Sequence, residues 1–395
     1  MQSFYWKCPT EIHFGPNKIQ ELGKLLSKQK VNKILFLYGH SSIKKNGIYD
    51  NILKQLKQLN IAFVELSGVD PNPRYETVLQ GAKICKEQEI DFILAVGGGS
   101  VVDCAKAISL ASNYSGDFWE EIIKAGGGLH IPEEKTISLG VILTLAATGS
   151  EMNAGAVISN LATKEKLSVF SSFVIPKFSI LDPLYTYSVP KHQIAAGIAD
   201  AFSHCLEQYF SDNDNAYISD GILVGIMKGL KEIAPKAINE PQDYVSHANL
   251  MWGATMALNG ISGVGKNGDW STHIIEHAVS AYYDITHAVG LAIIFPNWME
   301  YVLEANNAYR FKNLGNLFNI PFQGDNLKDA QTTIKKVREF FNSLNMPSKL
   351  SEVGVQQQDM EGIVTSTFAR QGMEKIGSFK SLNKDDVRNI LVKSF

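Results

Sequence analysis

This 395-residue chain is short of several things, and each scarcity removes a class of protein. It has four cysteines, Cys8, Cys85, Cys104 and Cys205, and no two of them form a Cys-x-x-Cys pair. A disulfide framework is therefore excluded, and free thiols in a reducing cytoplasm are expected. No stretch approaches the roughly 20 apolar residues that span a bilayer, so no membrane association is expected. The opening residues, Met1-Gln2-Ser3-Phe4-Tyr5-Trp6-Lys7, lack the charged-then-apolar order of a secretory leader. Charge of one sign is also missing: 37 basic residues meet 40 acidic ones, for a formal net charge of -3. Lys44-Lys45 and Lys335-Lys336 are short clusters that read as solvated helix faces, so no nucleic-acid partner is expected. The dinucleotide fingerprint G-x-G-x-x-G is absent as well.

Apolar residues are plentiful, at 45% of the chain, and the length suits two domains packed together. Up to about residue 185, short β-branched runs alternate with helical patterns. The runs are 33–38, 62–66, 92–96, 138–142 and 178–181, with amphipathic stretches such as 48–59 and 75–89 between them. Such alternation predicts a parallel sheet covered by helices. Beyond residue 186 the apolar positions recur every three or four residues, as in 193–210, 216–232 and 244–260. The expected fold is an α/β N-terminal domain, 1–185, with a parallel Rossmann-like sheet, followed by an all-α domain, 186–395. The prolines of Asp182-Pro183 and Val189-Pro190 bracket the boundary.

The run 92–96 leads straight into Gly97-Gly98-Gly99-Ser100 and then into a helix pattern from Val101. Glycines admit a ligand close to the backbone, and a helix start offers unpaired N–H groups. Together they make a phosphate cradle, although a plain tight turn reads the same way. Asp103 falls in the first helical turn and reads as structural, since a carboxylate repels phosphate. A second turn, Thr144-Leu145-Ala146-Ala147-Thr148-Gly149-Ser150-Glu151, carries hydroxyls for a phosphate, a ribose or an amide. Ser150 equally suits a helix cap.

Four of the nine histidines fall in two helical stretches of the second half. Asp200 and His204 are four apart and share one helix face, as do His273 and His277. His287 follows beyond a break near Tyr283-Asp284. One aspartate with two or three imidazoles is a donor set for Fe²⁺ or Zn²⁺ rather than Mg²⁺, with a coordination position left for catalysis. Spacing alone leaves open which of the three later histidines coordinate.

These residues resemble the iron-containing (group III) alcohol dehydrogenase family. The resemblance rests on Asp200-x-x-x-His204, His273-x-x-x-His277 and His287. It extends to Gly97-Gly98-Gly99-Ser100, Thr148-Gly149-Ser150-Glu151 and Leu181-Asp182-Pro183, and so runs over almost the whole chain. Within the family it is similar to the butanol dehydrogenase and broad-range aldehyde reductase branch. It implies a dehydroquinate synthase-like fold, a homodimer, and a cofactor in the cleft between two domains. It implies Asp200, His204, His273 and His287 as metal ligands and His277 beside the substrate. Asn72 and Lys166 match cofactor-contacting positions, although a lysine at 166 also suits a surface. With the turns, the candidate cofactor contacts are Gly39, Ser41, Ser42, Asn72, Gly97, Gly98, Gly99, Ser100, Thr144, Thr148, Ser150, Lys166 and Leu181.

The expected reaction interconverts small primary alcohols, butanol-like, with their aldehydes. A metal polarises the substrate oxygen and hydride moves to or from nicotinamide. An acidic residue often closes an early strand where NAD is preferred. Here the run 33–38 ends in Gly39-His40-Ser41-Ser42-Ile43-Lys44-Lys45, with no carboxylate to repel a 2′-phosphate, so NADP(H) is expected over NAD(H). Two other readings use the same scaffold. One is a glycerol dehydrogenase-like polyol oxidoreductase, and the other is a non-catalytic protein that binds nucleotide or metal.

Overall fold

The computed structural model describes residues 1–395 and divides into two compact units. A sheet unit comprises Lys7–Pro190 with Glu240–Thr255, and a helical unit comprises Met1–Trp6, Lys191–Asn239 and Met256–Phe395.

In the sheet unit the strands are β1 (Glu11–Phe14), β2 (Lys33–Tyr38), β3 (Ala62–Leu66), β4 (Phe92–Gly97), β5 (Ser138–Leu143), β6 (Gly155–Asn160), β7 (Glu165–Phe170) and β8 (Phe178–Leu181). Helices α1 (Leu22–Lys28), α2 (Ser42–Lys45), α3 (Ile48–Gln58), α4 (Tyr75–Glu87) and α5 (Gly99–Ala111) lie between them. Six strands form one sheet in the order β1-β8-β5-β4-β2-β3, parallel throughout, and β6 pairs antiparallel with β7 in a separate hairpin. The five runs expected as strands are all present. Parallel strands buried on both faces read as near-continuous apolar runs, and β2, β4, β5 and β8 are buried over nearly their whole length. One face packs Phe36, Leu94, Ile142 and Ile180 against Leu22, Leu26, Ile52 and Leu56 of α1 and α3.

The strand order fixes where a ligand can sit. From β2 the chain moves outward to β3, whereas from β4 it moves the other way to β5. The crevice between oppositely departing connections is the topological switch point, where open α/β sheets bind ligands at the carboxyl ends of their strands. Register pairs Tyr38 with Val96, so the turns beginning at Gly39 and Gly98 flank that crevice.

In the helical unit, α6 (Lys191–Tyr209), α7 (Tyr217–Asn239), α9 (Ser271–Tyr283), α10 (His287–Val302), α11 (Ala308–Leu314), α12 (Asn326–Ser343), α13 (Met360–Thr367) and α14 (Lys384–Lys393) pack on one another. Helix α8 (Tyr244–Ala257) lies mostly within the sheet unit. Helix α9 ends at Asp284, whose φ of 50° is left-handed, so His287 starts a new helix rather than continuing the old one. No helix is long and apolar enough to cross a membrane.

Behind the glycine turn the sheet unit buries three charges. Lys106 on α5 is fully buried, and its Nζ donates to Ser150 Oγ (2.8 Å), Asn153 Oδ1 (2.9 Å) and the Gly155 carbonyl (2.7 Å). Asp103 accepts from Ser150 Oγ at 2.5 Å and from the Val157 amide at 2.9 Å. Glu151 accepts from the Thr255 hydroxyl. Burial pushes Lys106 down to about 8, opposed by the charges of Asp103 and Glu151. Removing a buried charge partner costs roughly 3–5 kcal/mol. Lys106→Met is expected to lose about that much, because Asp103 and Glu151 stay buried without their cation. An earlier unfolding transition in denaturant would register the loss, and an unchanged transition would deny the network any weight.

Candidate active site

The two polar turns of the sheet unit come together because their glycines have no side chains. A Cβ on Gly99 would stand 2.3 Å from Thr148 Oγ1, and one on Gly98 would stand 3.1 Å from Leu145 Cβ. The Thr144 amide donates to the Gly97 carbonyl at 3.0 Å, which locks the turns in register. Helix α5 starts at Gly99 with no side-chain cap, and the Val101 and Val102 amides donate to the Gly98 carbonyl.

The individual candidates differ in what they offer. Ser41 and Ser42 are exposed beyond β2. Asn72 sits in a left-handed turn, φ 56°, and its Oδ1 accepts from Lys166 Nζ at 2.9 Å. Lys166 is 6% exposed, so it is no surface lysine; the fold delivers it to Asn72 from β7. Ser150 is 2% exposed, its hydroxyl held between Asp103 and Lys106, and Gly149 rather than Ser150 stands at the cap position of the following short helix. Leu181 ends β8 with its side chain in the core, and its carbonyl accepts from the Gly15 amide at 2.9 Å. Asp103 is part of the buried network, as its place in the sequence suggested.

In the helical unit the aspartate and the histidines converge. Asp200 and His204 project from one face of α6, His273 and His277 from α9, and His287 from the first position of α10. Donor atoms of Asp200, His204 and His273 lie within 4.8 Å of one another. Asp200 Oδ1 is 3.7 Å from Nε2 of both His204 and His287. The His204 and His273 rings stack, 4.9 Å between centroids, and the His287 ring is 5.1 Å from that of His273. The His277 ring is half-buried and lies 5.2 Å from that of His287.

Burial, and after it the neighbouring imidazoles of His273 and His287, hold His204 well below the ordinary histidine range. A neutral imidazole is the form that coordinates a metal. His273 Nδ1 lies 2.9 Å from Glu207 Oε1 and donates to it, so the lone pair falls on Nε2, which is buried without a hydrogen-bond partner. A buried carboxylate, three imidazoles and an unused buried lone pair fit one divalent cation with N/O preference.

Sequence reasoning missed Glu207 and Glu276. Each sits three residues after a histidine, His204 and His273, a spacing that on an exposed helix means only a solvated face. It also missed Lys106, masked by the small residues around it, and Asp70, which the fold brings to within 3.3 Å of His40 Nε2.

A doubly wound sheet with a glycine-lined crevice and a helical unit with a converging aspartate–histidine cluster define a class, the metal-assisted nicotinamide oxidoreductases. Family comparison agrees on both halves. Residues 9–183 match the model "Iron-containing alcohol dehydrogenase", and residues 194–395 match "Fe-containing alcohol dehydrogenase family, C-terminal". The chain belongs to the iron-containing alcohol dehydrogenase family and is an alcohol dehydrogenase, equally an aldehyde reductase in the reverse direction. It is 46% identical to NADH-dependent butanol dehydrogenase A of Clostridium acetobutylicum, over all of both chains. It is 37% identical to the NADPH-dependent aldehyde reductase YqhD of Escherichia coli, over 99% of each. The crystal structure of NADH-dependent butanol dehydrogenase A from Thermotoga maritima superposes with a TM-score of 0.93 at 38% identity, covering 100% of this chain and 99% of that one.

Proposed function

We propose that Asp200, His204, His273 and His287 hold one divalent cation, Fe²⁺ or Zn²⁺. With it the enzyme interconverts small primary alcohols of the butanol class with their aldehydes, preferring NADP(H). The observation that carries the metal reading is the convergence of a buried carboxylate with three imidazoles, one of them with its outer nitrogen tied to Glu207. The names of the relatives, a butanol dehydrogenase and an aldehyde reductase, support the substrate class over a polyol. Comparing turnover of butanal and butanol with that of glycerol tests it.

When bound, the cation supplies Lewis-acid polarisation of the alcohol or carbonyl oxygen, and the nicotinamide supplies or receives the hydride. The residues of the chain do the rest. Asp200 contributes negative charge in a site that is nearly closed to water, at 3% exposure. His204 is kept neutral by burial and so keeps its lone pair available. His277, half-buried on the same helix face as His273, is the titratable group that takes or returns the proton of the substrate oxygen. The amides at the start of α5 hold the dinucleotide phosphates.

The choice of NADP(H) is supported by the turn after β2. A Cβ on Gly39 would make only ordinary contacts, with Val69 O at 3.5 Å and Val101 Cγ2 at 3.9 Å, and no carboxylate stands among them. Ser41, Ser42 and Lys45 are exposed there, and Lys44 lies over the Tyr49 ring at 4.8 Å. Asp70, the carboxylate that reaches this turn from beyond β3, faces His40. Two of the relatives above are named for NADH and one for NADPH, so the family uses both and the choice rests on local residues such as these. The reading includes a cytoplasmic homodimer. Four unpaired thiols support the compartment, and the outermost strand β1 leaves a backbone edge for a second copy.

His273→Ala is expected to abolish turnover and to lose the metal, since affinity follows ligand number. Full metal content with normal kinetics in that variant would remove it from the ligand set. His277→Ala should keep the metal and lose rate by about 10²–10⁴-fold, the usual contribution of a general acid–base group. Metal loss there would instead make His277 a ligand. Steady-state kinetics should give a higher kcat/KM with NADPH than with NADH. Gly39→Asp, for which the backbone leaves room, should reverse the order by setting a charge against the 2′-phosphate. A parent enzyme faster with NADH would overturn the preference.

A further inference from the structure

We propose that Glu207 and Glu276 are positioning residues of the metal centre, each fixing one histidine ring so that its Nε2 faces the cation. The inference rests on the four-ligand reading above.

Glu207 is fully buried on α6, one helical turn beyond His204. Its Oε1 accepts from His273 Nδ1 (2.9 Å), from the His273 amide (2.9 Å) and from the Thr272 hydroxyl. Its Oε2 accepts from the Trp270 amide at 2.7 Å. Trp270 has a left-handed φ of 65°, costly for a bulky side chain, and makes no side-chain cap for α9. Glu207 therefore does two things with one carboxylate: it caps the start of α9, and it orients the first histidine of that helix.

Glu276 repeats the arrangement one helix further on. It is fully buried on α9, one turn beyond His273. Its Oε2 pairs with Nδ1 of His287, and its Oε1 accepts from the Ser280 hydroxyl. Gly290 on α10 makes room for it: a Cβ there would stand 2.6 Å from Glu276 Cγ and 2.9 Å from Oε1. The two carboxylates thus link α6 to α9 and α9 to α10, and each link passes through the Nδ1 of a candidate ligand. A carboxylate on the far nitrogen fixes the tautomer and raises the basicity of the coordinating one.

Charge supports the same role. Elsewhere in the helical unit Asp220 is bonded by the cations Arg310 and Lys266. Asp269, beside Glu207, is instead met by the Ser271 and Phe379 amides and the Ser271 hydroxyl, and its pKa is raised to about 6 by burial and then by the charge of Glu207. The donors that meet Glu207 are amides, a hydroxyl and an imidazole. Uncompensated buried charge is costly, and a divalent cation offsets the negative charge that Asp200, Glu207 and Glu276 bring to one place.

The test uses metal-stripped full-length protein titrated with Co²⁺ against a chromophoric chelator, with the Co²⁺ d–d spectrum as a second readout. Glu207→Gln and Glu276→Gln keep every ligand and remove the carboxylate charge behind the ring; in Glu207→Gln the NH₂ must also face a group that only donates, the Trp270 amide or His273. Each should bind Co²⁺ about 10–100-fold more weakly, the usual cost of losing such a partner, with an altered d–d band. A Gln variant that folds, as judged by circular dichroism, and binds with parental affinity and spectrum overturns the inference for that residue. Should the Gln variants not fold, Gly290→Ala displaces Glu276 by one methyl and leaves the ligands intact; the same loss supports the proposal and parental affinity overturns it. His273→Ala runs alongside. If it binds Co²⁺ like the parent, the four-ligand reading itself fails, and the positioning role fails with it.

Discussion

A carboxylate can be buried only where something answers its charge or its hydrogen-bonding capacity, and beyond the amides and hydroxyl that hold Asp182 and Asp269, this chain meets that constraint in three ways. In the sheet unit a lysine answers: Lys106 sits among Asp103, Glu151 and Ser150. In the helical unit Asp220 is answered by Arg310, whose guanidinium also lies 3.6 Å from the Tyr209 ring centroid, and by Lys266. Asp200, Glu207 and Glu276 are different, because imidazole rings stand at all three. The first two solutions tie elements together and are complete within the protein. The third sets carboxylates against imidazole rings, one of which, His204, burial holds well below the ordinary histidine range.

The two halves of the chemistry follow from different architectural rules. The sheet supplies a crevice because its connections depart in opposite directions from β2 and β4, and the glycine turns let Thr148 and the start of α5 close in on that crevice. The helical unit brings the aspartate and histidines together because pairs four residues apart share a helix face, so α6 and α9 each bring two of these side chains. The break at Asp284 then aims His287 from a new helix. Membership of the iron-containing alcohol dehydrogenase family fits both halves.

Much of the sheet was legible because a parallel strand buried on both faces has a one-dimensional signature. β2, β3, β4, β5 and β8 read directly as runs. β1 did not: it is four residues long, half-buried throughout and carries Glu11 and His13, so neither an apolar run nor a clean alternation marks it. The β6–β7 hairpin also escaped, since its turn at 161–164 has none of the usual glycine or proline signals. Lys166 read equally as a surface residue, and only its place on β7 buries it against Asn72.

What the sequence by itself determined is whatever depends on spacing along one element: the strand runs, the glycine turn opening a helix, and the pairs Asp200–His204 and His273–His277. Helix and strand periods fix these without reference to anything distant. What only the tertiary structure decided is whatever depends on meetings between elements far apart in sequence. Thr148 lies against Gly99, Lys106 reaches Ser150, Asp70 faces His40, and Glu207 holds a ring 66 residues away. The reason is physical. A glutamate one turn from a histidine looks the same in sequence whether water or a second helix covers it, and burial alone turns it from a solvated charge into a group that must be answered.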